Sequence, residues 1–245
     1  MEGCCVSVTG KTGRKTGDKA MTGVSALLFD LDGTLVDSVP DIARAANLLL
    51  ESEGFEPLGV DEVRAMIGHG IPKLVERVFI ARGRSLDAEA HAAMTARMMG
   101  IYADNLTGLT VPLPGAMDVL EDSVRAGLKL AVVTNKPEAF SREILVHFGM
   151  DAHVAVVVGG DTCATRKPEP EMLLHAAAAL GASAGDSVMV GDSSADVASA
   201  RAAGMRVIVV RGGYTTVPAE ELGADLVIDG LPDLLALLDG QPALA

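Results

Sequence analysis

The sequence predicts an α/β fold, an open parallel sheet core with a helical cap inserted after its first strand. Three observations carry that expectation. From residue 111 onward, short aliphatic runs alternate with stretches of helix length, the rhythm of a parallel sheet covered on both faces. Between the first apolar run and that alternation, residues 39–110 hold helical periodicity and no strand-like run. Acids and a hydroxyl follow the apolar runs directly and a lysine comes a few residues after one of them, where a Rossmann-like sheet binds ligands beyond the carboxyl ends of its strands. The expected division is a flexible N-terminal tail at 1–23, a core at 24–38 and 111–245, and a cap at 39–110.

Taken in order, the tail is polar and glycine-rich, with Lys11, Arg14, Lys15 and Lys19. Gly10-Lys11-Thr12 looks like the end of a phosphate loop, but the required earlier glycine would fall at Cys5. Met21, just before the first strand, is where folding is expected to start. Ala26-Leu27-Leu28-Phe29 reads as a buried strand, and Ser38 as the cap of a following helix, with Asp41 three residues on. A short helix is predicted from Asp61 to Gly68. Pro72 opens another, ended by Gly83, and a fourth covers 87–104. Core strands are expected at 130–133, 154–158, 188–190, 207–210 and 226–228. Helices are expected at 116–126, 138–148, 170–180, 195–203 and 232–238.

Composition narrows the function. The chain has 245 residues, 49% of them apolar but only 3% aromatic and none Trp, so an Ala-rich aliphatic core is available. A net charge of −13 argues against nucleic acid, whose binders carry a basic footprint. It also repels an anionic substrate at long range, so phosphate chemistry here needs a local cationic centre. Three cysteines, two of them adjacent (Cys4, Cys5), make no disulfide framework, and Cys163 reads as a packed residue. No apolar run has the ~20 residues of a membrane helix, and Ser7 interrupts any signal core. A cytoplasmic protein without membrane partners is expected.

The strand ends then supply candidate groups. Asp30 and Asp32 follow the first strand on one side of extended chain. They read either as a solvated strand end with a Gly turn or as a cation or reaction site, because a bare Asp is costly to bury. Thr134 either caps a helix or, with the free N–H groups of the helix start, holds phosphate oxygens. Lys167 is either a surface lysine or a charge placed by the stiff backbone of Pro168 and Pro170. Asp192 and Asp196 could share a capping role or join the acids. Two carboxylates ~4 Å apart repel by roughly 4 kcal/mol at an effective dielectric near 20. Gathering these acids therefore calls for cations, and an all-oxygen ligand set favours Mg²⁺ over zinc.

Together Asp30-Leu31-Asp32-Gly33-Thr34-Leu35, Thr134-Asn135, Lys167-Pro168, and Gly191-Asp192 with Asp196 resemble the four landmarks of the haloacid dehalogenase superfamily of phosphohydrolases. The likeness covers about residues 24–240. Within it, Val133-Thr134-Asn135-Lys136-Pro137, Val158-Gly159-Gly160-Asp161 and Ile67-Gly68-His69-Gly70 resemble the phosphoglycolate phosphatases, which often have Asn where His69 sits.

The resemblance implies that Asp30 attacks phosphorus and becomes an aspartyl-phosphate, and that Asp32 is the proton donor and acceptor. It implies Mg²⁺ held by the Asp30 side chain, the Asp32 backbone carbonyl and Asp192. Thr134, the Asn135 N–H and Lys167 would bind the phosphate oxygens, and Asp196 would fix Lys167 or a metal-bound water. Gly68, His69 and Gly70 in the cap would touch the rest of the substrate, although His69 also reads as an ordinary surface residue. The implied substrate is 2-phosphoglycolate, a small anionic phosphate ester, and the protein is expected to be a monomer or homodimer. A phosphatase of another sugar phosphate or nucleotide is the alternative. A dehalogenase has no need of Asp32. A phosphomutase would carry a cap histidine where Pro40-Asp41-Ile42-Ala43 stands, and a non-catalytic binding protein would have no use for the complete set.

Overall fold

The computed structural model describes Met21 and residues 23–238. Strand β1 (Ala26–Phe29) lies inside the main sheet, and its side chains alternate. Leu27 and Phe29 enter one buried cluster, while Ala26 and Leu28 enter another on the opposite face. The remaining strands of this sheet are β4 (Lys129–Val133), β5 (Val156–Val158), β6 (Ser187–Gly191), β7 (Arg206–Val210) and β8 (Leu226–Ile228). They order β5-β4-β1-β6-β7-β8, and every pairing is parallel. That is the expected architecture, with strands buried on both faces and therefore continuously apolar.

Two further strands, β2 (Val36–Asp37) and β3 (Val111–Pro112), pair antiparallel. Each is two residues long, too short to leave a period in the sequence, and neither was expected. Four helices lie between them: α1 (Val39–Ser52), α2 (Val60–Arg64), α3 (Ile71–Ala81) and α4 (Ala88–Ala103). They pack on one another, and Val75, Phe79 and Tyr102 join the same buried cluster as Leu27 and Phe29.

Helices α5 (Ala116–Arg125), α6 (Glu138–His147) and α9 (Leu231–Leu238) cover that face of the sheet; α7 (Glu171–Leu180) and α8 (Ser194–Ala203) cover the other. Cys163 is half-buried beside the second cluster.

Some local expectations need correction. The helix expected over 61–68 ends at Arg64, and Gly68 and Gly70 take φ values of +109° and +82°, a left-handed backbone that helix geometry excludes. Ser38 makes no side-chain cap for α1; its hydroxyl donates to Asp32 instead. Asp41 is fully buried and accepts from the Leu109 and Thr110 N–H groups and the Thr110 hydroxyl. Met21, placed in the tail from sequence, is buried in the main cluster. Cys4, Cys5, Gly10-Lys11-Thr12 and the rest of residues 1–20 lie outside the described residues. Among the described residues no helix is long and apolar enough to cross a membrane.

Candidate active site

The parallel ladder carries the reactive residues to one edge. The Asp30 N–H donates to the Val190 carbonyl at 2.9 Å, and the Thr134 N–H to Val158 at 3.0 Å. Each side chain therefore leaves the sheet where regular pairing stops. Lys167 reaches back from the loop after β5. Its Nζ donates to Asp196 Oδ1 at 2.7 Å and to the Val133 carbonyl at 2.7 Å, and stands 3.0 Å from Asp30 Oδ1. Those three contacts match the three donors of an ammonium group, and Lys167 is 2% exposed. The surface-lysine reading is excluded.

Asp196 is held from its other oxygen. Oδ2 accepts from the Ser193 N–H at 3.0 Å and the Ser193 hydroxyl at 2.6 Å, a reciprocal capping box at the start of α8. Ser193, not Asp192, caps the helix. Asp192 is free to face the site, where Oδ2 accepts from the Tyr214 N–H at 2.6 Å and Oδ1 from the Thr34 hydroxyl at 3.3 Å.

Burial raises the Asp30 carboxyl to about 7. Lys167 opposes that rise, while the charges of Asp196 and Asp32 add to it. Burial, with Asp196 and Asp30, also holds Asp192 well above its ordinary value. Burial opposes the charge on Lys167 too, but Asp196 and Asp30 overcome it and keep the ammonium protonated. One lysine thus serves three buried carboxylates, and oxygens of Asp30, Asp192 and Asp196 lie within 4.8 Å of one another. Such a cluster fits a hard divalent cation. Of the three, Asp30 and Asp192 line the cavity and Asp196 does not, which makes Asp30 and Asp192 the side chains suited to hold it.

Asp32 sits apart from this cluster in a different polar setting. Lys136 Nζ donates to its two oxygens at 2.8 and 2.9 Å and to the Tyr102 hydroxyl at 2.7 Å. The lysine is 5% exposed and lies 4.8 Å from the centre of the Tyr102 ring. Lys136 and Tyr102 are additions to the sequence-derived set. Their one signal was the place of Lys136 directly after Thr134-Asn135, at a strand end. Thr134 does not cap α6, whose N-terminal flank is Pro137; its hydroxyl accepts from the Lys136 N–H at 3.3 Å.

Asn135 joins the sheet edge to the insertion, because its side-chain amide donates to Gly68 at 3.0 Å and to the Lys167 carbonyl at 2.9 Å. Tyr214 makes a comparable link that no sequence pattern announced. Its hydroxyl accepts from the Ser38 N–H at 2.8 Å and donates to Asp37 at 3.0 Å.

These groups surround a cavity of about 200 Å³, lined by Asp30, Asp32, Thr134, Asn135 and Asp192 on one side and by Gly68, His69 and Gly70 on the other. His69 is an exposed residue at the rim. The cavity is smaller than the roughly 300 Å³ at which pockets for drug-sized ligands begin.

The haloacid dehalogenase-like hydrolase family model matches residues 27–210. The chain belongs to that family. As a haloacid dehalogenase-like hydrolase it is similar to a phosphoglycolate phosphatase of Caulobacter vibrioides, 40% identical over 223 residues that span 89% of this chain and 94% of the relative. The crystal structure of a predicted phosphoglycolate phosphatase from Haemophilus somnus matches with a TM-score of 0.84 and 29% identity, covering 89% of this chain and 99% of that one. CbbY from Rhodobacter sphaeroides, solved with phosphate, matches with a TM-score of 0.75 and 27% identity, covering 88% and 99%. This haloacid dehalogenase-like hydrolase is thus an enzyme of the phosphoric monoester hydrolase class.

Proposed function

We propose that the protein is a Mg²⁺-dependent phosphatase that converts 2-phosphoglycolate to glycolate and phosphate through an aspartyl-phosphate on Asp30. The observation that carries this reading is the Asp30 carboxylate 3.0 Å from Lys167 Nζ and grouped with Asp192, beneath a cavity of about 200 Å³. The small volume supports a two-carbon ester over a nucleotide.

In the proposed reaction an Asp30 oxygen forms a bond to phosphorus as the bond to the alcohol oxygen breaks. Asp32 gives that oxygen its proton. The leaving glycolate is then replaced by water. Asp32 takes a proton from the water as its oxygen attacks phosphorus and releases Asp30. The Thr134 hydroxyl, the Asn135 N–H and the Lys167 ammonium stabilise the phosphoryl oxygens in both steps. Asp196 keeps Lys167 in place, and Lys136 with Ser38 fixes the Asp32 carboxyl. Mg²⁺ held by Asp30, Asp192 and the Asp32 carbonyl would supply positive charge beside the phosphate. Residues 39–110 act as the cap, excluding water, with Gly68, His69 and Gly70 against the non-phosphate end.

The test is a panel of phosphate monoesters assayed with Mg²⁺. Release of phosphate from 2-phosphoglycolate, lost in Asp30→Asn and in EDTA, is the expected result. Turnover of another monoester ~100-fold better would replace the substrate and keep the class. Full activity in EDTA would remove the metal.

A further inference from the structure

Arg77 lines the same cavity from the insertion side, and the sequence drew no attention to it. Ile71, Leu74 and Arg77 recur every three residues on α3, so they share a stripe of the helix, and all three line the cavity. The first two are buried apolar contacts; the third brings a guanidinium to the same wall. Its NH1 donates to the Met66 carbonyl at 2.6 Å, which fixes the head group without neutralising it.

The charge balance makes this arginine distinctive. Lys136, the other fixed cation lining the cavity, is committed to both oxygens of Asp32. Lys167 is committed to Asp30 and Asp196, and Lys73, one turn before Arg77, to Glu76 at 2.7 Å. Arg77 forms no ion pair among the described residues, although its charge adds to the hydrogen bond and charge of Lys73 in holding Glu76 below its ordinary value. In a chain of net charge −13, an unpaired arginine facing a cavity creates a local positive field. His69 registers that field, because burial and then the charges of Arg77 and Lys73 hold its imidazole below the ordinary value.

We propose that Arg77 binds a second anionic group on the substrate, the carboxylate of a phosphorylated hydroxy acid, while the sheet edge holds the phosphate. The proposal rests on the phosphatase reading above and names the residue that selects within it. Guanidinium carries five N–H donors in a planar fork, and the bond to Met66 uses one. The remainder can grip a carboxylate through two parallel charge-assisted hydrogen bonds. A neutral alcohol at the same position would leave that fork without a counter-charge.

The experiment compares 2-phosphoglycolate with 2-hydroxyethyl phosphate, which has the same carbon chain and a hydroxymethyl end in place of the carboxylate. The unaltered enzyme is expected to favour the acid in kcat/KM. Arg77→Met should reduce that preference by roughly 10- to 100-fold, chiefly through KM, and Arg77→Lys should keep part of it by retaining the charge.

Equal losses on both substrates would mean that Arg77 acts only through the Met66 carbonyl, and an intact preference would mean that it is not used; either overturns the proposal. If Arg77→Met does not fold, Arg77→Gln and Arg77→Lys carry the same comparison. Calorimetric binding of the two esters to Asp30→Asn, with and without Arg77→Met, separates this proposal from the proposed reaction. An affinity ratio insensitive to Arg77 sinks the assignment. A sensitive ratio with no monoester hydrolysed by the unaltered enzyme sinks the phosphatase reading and leaves the binding site standing.

Discussion

Lys136 places one ammonium group against both oxygens of Asp32, at 2.8 and 2.9 Å, and against the Tyr102 hydroxyl of α4 at 2.7 Å. A residue of the sheet edge thus orients the proposed acid while touching the inserted helices. Lys136→Met keeps most of the side-chain volume and removes the grip. We expect turnover of an alkyl phosphate to fall by about 10²-fold or more, the scale of general acid–base catalysis. Turnover of p-nitrophenyl phosphate, whose leaving group needs no proton, should fall much less. Steady-state rates on the two esters check this; parallel losses would assign Lys136 to the fold alone.

The buried acids predict a dependence of stability on pH. Asp30 titrates near 7 in the folded protein, against 3.8 ordinarily, and Asp192 is raised as well. Between those values the folded state keeps protons that the unfolded chain releases. The contribution is therefore fully present below about pH 4 and is lost as pH rises through 7, amounting to at most about 4 kcal/mol for Asp30. In EDTA the melting temperature should fall over this range, and Asp30→Asn should flatten the fall while abolishing turnover. Mg²⁺ should restore stability most at the alkaline end, where the carboxylates are ionised. Thermal melts at several pH values, with and without Mg²⁺, decide the matter; identical slopes in both series would contradict it.

Gly213 packs so close to Asp192 that an added Cβ would overlap its carboxylate and its own Cβ. Gly213→Ala should therefore displace Asp192 while leaving Asp30 and Lys167 in place. With Asp192 in its proposed role as a metal ligand, a 10- to 100-fold rise in the Mg²⁺ concentration needed for half-maximal activity is expected, the usual scale for changes behind such ligands. A magnesium titration of the variant provides the measurement.

Asp41 stabilises the return of the insertion. Its buried carboxylate receives the Leu109 N–H, the Thr110 N–H and the Thr110 hydroxyl, so Asp41→Ala strands several donors at once. A loss of about 2–4 kcal/mol, or roughly 5–15 °C in melting temperature, is expected. Calorimetry would expose a smaller effect.

What the sequence made legible follows from the length of each signal. The apolar stretches of β1, β4 and β6 mark the sheet, and Asp30, Thr134 and Asp192 stand at its edge because they follow those stretches directly, while Lys167 reaches the same place from the loop after β5. Three kinds of feature escaped. The β2–β3 pair is too short to show a period. Ser38 and Asp41 have the spacing of a capping box, but partners outside the helix, Asp32 for one and the distant Thr110 for the other, win both side chains. Tyr214 and Arg77 reach the site through tertiary contacts, and nothing beside them in the chain marks them. Lys136 was visible inside a motif, but its pairing with Asp32 across the sheet edge required the fold.

The β2–β3 ladder has a consequence for how such proteins diversify. Val36 pairs with Pro112 and Asp37 with Val111, so the chain leaves the core and returns at adjacent points. Changing the length between those points adds little to the chain entropy of closing the junction, about 0.6 kcal/mol per doubling, since that cost grows only with the logarithm of loop length. If the insertion sets substrate preference as proposed, that preference can drift by exchange of the segment without disturbing Asp30, the proposed nucleophile. Deletion is another matter, because Val75, Phe79 and Tyr102 share one buried cluster with Leu27 and Phe29. The segment is a replaceable part whose absence would expose the apolar side chains through which it joins the core cluster.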